Sequence, residues 1–104
     1  MEKELVKILG LEDKPKLWNA NGFPRDFPFY EFDKDIYVVD DEFFTYRDIN
    51  AIIFIDNKTN KSVIVSKEYV KHKCLKSLDE FKGLILKQLS KSNQTLITIP
   101  DLSL

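Results

Sequence analysis

His72 and Cys74 are the only histidine and the only cysteine in this chain. Two positions apart, they would share one face of a strand and offer two metal ligands. A zinc site needs four, so carboxylates would have to come from elsewhere. The simpler reading makes Cys74 a small core residue, as free cysteines usually are. Asp40, Asp56 and Lys58 form a second set, in which two carboxylates and a lysine at strand ends could gather Mg²⁺ for nuclease-like phosphate chemistry. Asp56 opens the run Asp56-Asn57-Lys58-Thr59-Asn60-Lys61, however, where Asp and Asn serve turns for backbone reasons. Asp33-Lys34-Asp35 lacks the glycine and closing glutamate of a calcium loop. The three glycines, Gly10, Gly22 and Gly83, are scattered and build no phosphate loop. No nucleophile has an activating context. The sequence therefore reads as non-catalytic, with no metal or cofactor expected.

Charge distribution carries more information. Formal net charge is −1, so no global field draws the protein to nucleic acid or membrane. Locally the picture differs. Residues 24–48 hold eight acids against three bases, a net of −5, whereas residues 57–91 hold nine lysines against three acids, a net of +6. Residues 23–48 also contain nine of the thirteen aromatics. If strands alternate faces there, some of these aromatics must point outward. Exposed aromatics rimmed by acids make a protein-docking surface, because aromatics anchor interfaces and rim charges steer partners. Asp40, Asp41 and Glu42 beside Phe43 and Phe44 are the expected contact. The expected role is a small domain docking an acidic, aromatic surface on a larger protein with a basic surface. It would act as a phage or mobile-element inhibitor, an adaptor or an immunity-type protein. The alternative is a nucleic-acid-binding module in which Lys67, Lys71, Lys73 and Lys76 meet phosphates and Tyr69 stacks on a base. Lysine without arginine fits phosphate geometry less well, and both arginines lie in the other half.

The elements that would position these residues follow from periodicity. At 104 residues, 43% hydrophobic, the chain is expected to form one domain with one core. Leu5, Ile8 and Leu9 predict a short helix over 2–9, ended by Gly10. Residues 19–29, with Asn21-Gly22, Pro24 and Pro28, read as irregular. Strands are predicted over 29–32, 36–39, 43–46, 49–55 and 62–66, with 68–74 as an extension of the sheet. Residues 49–55 are nearly all apolar, the pattern of a strand covered on both faces. Ser77-Leu78-Asp79-Glu80 is a capping box, and Leu78, Phe81, Ile85 and Leu89 then form one stripe, predicting a helix over 78–90. Residues 95–99 read as a final strand stopped by Pro100.

The predicted fold is thus α+β: a mainly antiparallel sheet of four to five strands (within 28–75), a short N-terminal helix, an amphipathic helix within 77–91 and a short last strand. Over 29–90 this order is similar in outline to pleckstrin-homology-like domains, a likeness of element order alone. A lone cysteine and the absence of a long apolar run predict a cytoplasmic, non-membrane protein. Self-association through an edge strand such as 95–99 is the remaining alternative.

Overall fold

The structure, a computed structural model, describes residues 1–12, 14–18, 27–44, 46–91 and 96–99. Helix α1 (Lys3–Ile8) is followed by strands β1 (Lys16–Trp18), β2 (Phe27–Asp33), β3 (Ile36–Asp40), β4 (Ala51–Asp56) and β5 (Ser62–Ser66). Helices α2 (Lys67–Lys76) and α3 (Leu78–Lys91) then lead to β6 (Leu96–Ile99). The six strands lie in sequence order in one sheet. Each neighbouring pair from β1 to β5 is antiparallel, and β6 joins β5 in parallel. A parallel neighbour needs a long crossover to carry the chain back to the strand's starting end, and the segment holding α2 and α3 supplies that length. The predicted α+β class is observed. Two consecutive helices before the last strand depart from the outline of a sheet closed by one late helix.

The turns are made by the residues suited to them. Asp35 and Asn60 take positive φ (61° and 62°) in the two hairpins, a conformation that short polar side chains tolerate. Asp56 Oδ1 accepts the Lys58 amide at 2.8 Å, which confirms the turn role of Asp56. Gly10, at φ 67°, ends α1 in a Schellman motif: its amide reaches the Lys7 carbonyl and that of Leu11 the Val6 carbonyl. Ser77 closes α2 with its amide on the Lys73 carbonyl (3.0 Å). Its hydroxyl then caps α3 by accepting the Glu80 amide (3.2 Å).

The alternation of β4 explains why its sequence is apolar throughout. Ile52 and Phe54 face the helices, together with Phe32, Val38, Val63 and Val65 from neighbouring strands. Leu5, Leu9, Val70, Phe81, Ile85 and Leu89 meet them from α1, α2 and α3. Ala51, Ile53 and Ile55 face the other way, into a second cluster with Phe29, Val39 and Ile64. Phe32, Phe54 and Phe81 form an edge-to-face triad, with Phe54 centred 4.8 Å from Phe32 and 5.6 Å from Phe81.

Three expectations need correction. Residues 68–74 are helical. Tyr69 and Val70 are strand formers by type, but Ser66 caps α2 by accepting the Tyr69 amide (3.1 Å), with Glu68 in the first turn and Lys73 and Lys76 in the last. On this helix His72 and Cys74 are two positions apart and so diverge. Residues 43, 44 and 46 form no strand: a 3₁₀ turn, Asp41–Phe43, leads out of β3 instead, and Thr45 lies outside the described residues. Strand β1 was not anticipated. Of the stretch read as irregular, 27–29 belong to β2, and 19–26 lie outside the described residues, as does Thr95.

Candidate functional site

The expected contact residues sit at the end of β3, and the structure divides them. Asp40 is buried, 5% exposed. Its Oδ2 lies 3.0 Å from the Met1 amino group, and its Oδ1 lies 3.0 Å from Lys67 Nζ. Oδ1 accepts no hydrogen bond, so Lys67 compensates it as a charge. A carboxylate removed from water requires such partners. Asp41 is fully buried at 0% exposure. Neither acid therefore belongs to a surface patch, which corrects the expectation for both. Glu42 is exposed, and Phe43 and Phe44 are half-buried against the second cluster.

Asp41 instead organises the loop that follows. Its Oδ1 accepts the Tyr46 amide at 3.1 Å and its Oδ2 the Asp48 amide at 3.3 Å, while its carbonyl accepts the Phe44 amide at 3.0 Å. Asp48 Oδ1 in turn accepts the Asn50 amide at 2.8 Å, and the Asn50 carbonyl accepts the Lys67 amide at 2.8 Å. The loop is thus pinned at its start, middle and end. Arg47 takes φ 58°, a left-handed conformation uncommon for a long side chain. Held this way, Tyr46 is 64% exposed and Ile49 63% exposed. Glu42, Arg47 and Asp48 are exposed as well. Tyr46 was among the aromatics noted in the sequence. Ile49 was missed because it continues the apolar run of β4, and only the turn formers Asp48 and Asn50 beside it signalled a loop.

The lysine-rich half does not present the face expected of it. Lys67 is committed to Asp40, and Lys71 lies 3.2 Å from Glu2 and 3.6 Å from Glu4. The hydrogen bond to Glu2 raises the pKa of the Lys71 ammonium. Tyr69 is buried in the core, which corrects its assignment as a stacking residue; burial also pushes its phenol up from the ordinary value. The Lys73 ammonium sits 5.6 Å from the Tyr69 ring centre, and Lys76 is exposed. Two ion pairs, Lys58–Asp35 (3.3 Å) and Lys67–Asp40, join the basic half to the acidic half. Charge separated along the sequence is thereby partly neutralised in space.

Asp40 and Asp56 do not converge. Asp40 is opposite Ile52 and Asp56 opposite Ile36, which places them four residues apart along the β3–β4 ladder. At about 3.3 Å per residue that is roughly 13 Å, too far to share one ion. Among the described residues no group of three or more His, Cys, Asp or Glu side chains is placed to hold a metal. Desolvation pushes the Cys74 thiol up to about 11. It should accordingly alkylate far more slowly with iodoacetamide at pH 8 than an unfolded control, since only the thiolate reacts. Equal rates in native and denatured protein would contradict this. No helix of the described residues is long and apolar enough to cross a membrane. The chain matches no family model, no curated protein and no solved structure.

Proposed function

We propose that this chain is a non-catalytic protein-binding domain that docks its 42–49 loop on a larger protein with a basic surface. The observation that carries the reading is the exposure of Tyr46 and Ile49 on a backbone pinned by the buried Asp41 carboxylate. Large side chains normally held inside are here presented outward by a fixed scaffold. Aromatic and arginine side chains dominate interface energetics, and Tyr46 and Arg47 are adjacent. Preorganisation lowers the entropy cost of ordering a loop on binding. The left-handed Arg47 is strain of the kind that collects at binding loops. Glu42 precedes the anchors and Asp48 lies between them, and both would steer a basic partner, as interface charges do. Covering a partner's functional surface in this way makes the domain an inhibitor or adaptor, of phage or mobile-element type.

The test uses tagged protein to capture partners from nuclease-treated lysate, followed by titration against the partner recovered. The pair Tyr46→Ala and Ile49→Ala should lower affinity at least about thirtyfold, the scale of a hot-spot loss of 2 kcal/mol. Both side chains are exposed, so the melting temperature should hold. Leu75→Ser, at an exposed leucine on α2, is the control and should bind normally. Capture unchanged by the loop pair would refute the proposal. Capture that vanishes with nuclease would transfer the role to the lysines.

A further inference from the structure

Helix α1 has its charges sorted by side. Glu2, just before the helix, and Glu4 both reach Lys71 on α2. Lys3 and Lys7, one turn apart, form no ion pair among the described residues, unlike Lys16, Lys58, Lys67 and Lys71. These two lysines border a cavity of about 730 Å³ between α1 and β2. Its remaining wall is apolar in character: Met1, Val6, Gly10, Leu11 and Tyr30, of which Val6 and Tyr30 are buried. The Schellman turn at Gly10 brings Leu11 back to this wall. An adjoining smaller cavity shares Gly10 and Tyr30 and has mixed charge: Glu12, Glu31 and Asp33 line it together with Lys14 and Lys16, of which Lys16 pairs with Glu31. The larger cavity therefore has an apolar wall bordered by two lysines, with no carboxylate among the described residues of its lining.

We propose that this cavity binds a small amphiphilic anion, an apolar acyl or aryl body carrying a carboxylate or phosphate head. The body lies against Val6, Leu11 and Tyr30, and the head meets Lys3 and Lys7. The volume falls within the range of small-molecule sites, where an apolar lining supplies affinity and a few polar groups set orientation. Two lysines and no carboxylate among the described lining residues disfavour a cationic head. The site involves none of the loop residues 42–49, so it stands or falls apart from the proposed docking role.

Decanoate, decyl phosphate and decyltrimethylammonium, each below its micellar concentration, are the probes, read by calorimetry and by amide shifts in labelled full chain. Both anions should bind with shifts centred on Val6, Leu11 and Tyr30, and the cation at least tenfold more weakly. Lys3→Gln with Lys7→Gln should weaken decanoate about tenfold while leaving the melting temperature of the free protein unchanged. Equal affinity for cation and anion, or shifts centred elsewhere, would overturn the proposal. Sedimentation with phosphatidylglycerol vesicles runs in parallel. Vesicle binding without decanoate binding would also overturn it, because bilayer attraction to surface lysines would then account for the charge pattern.

Discussion

Asp40→Ala is expected to remove about 3–5 kcal/mol of folding stability, the cost of leaving buried charge without its counter-ion. The carboxylate is 5% exposed and answers two ammonium groups, Met1 and Lys67, at 3.0 Å each. The Lys67 side chain is itself largely enclosed, and the Met1 amino group more so. Against a typical total of about 5–15 kcal/mol, such a loss leaves a marginal domain. Equilibrium denaturation in urea measures it directly. Asp40→Ala combined with Lys67→Met should recover part of the loss, since one stranded cation is then removed. A loss below about 1 kcal/mol would mean that water reaches the cluster and screens it.

Phe54→Ala should cost a similar amount for a different reason, about 3–5 kcal/mol from lost apolar burial and the void left behind. Phe54 is fully buried on the middle of β4 and touches the sheet through Phe32 and α3 through Phe81. Each edge-to-face contact adds about 0.5–1.5 kcal/mol beyond burial, so losing two places this residue at the upper end. Phe54→Leu, which keeps most of the volume, should lose clearly less. Equal losses for both variants would show that ring geometry, not volume, sets the cost.

Much of the fold was legible because periodicity and turn chemistry agreed. The Asn-rich hairpin between β4 and β5, the two-faced burial of β4 and the Ser77-capped α3 all follow from side-chain type at fixed spacing. Helix α2 was hidden because Tyr69 and Val70 are its only fully buried residues and both favour strands. Its signal was electrostatic and terminal: Ser66 before it, Glu68 early and lysines late. The candidate site was only half legible, for a related reason. Asp41 and Glu42 are adjacent acids of equal local propensity, yet one is enclosed by amides and the other exposed. That difference is set by the path of the chain after β3, which no local pattern encodes. The same holds for Asp40, whose partners lie at the first residue and at the start of α2.

The parallel seam between β5 and β6 has a kinetic consequence. Ser62 is opposite Leu96, and two helices stand between them in the chain. The antiparallel strands from β2 to β5, by contrast, are joined by short links and close at little entropic cost. Non-local pairings slow folding, so the seam is expected to close last. Until it does, the backbone of Val63, Ile64 and Val65 offers open hydrogen-bonding groups on an apolar, β-branched strand, the profile of an aggregation-prone edge. Refolding yield should therefore fall with protein concentration more steeply than native solubility does.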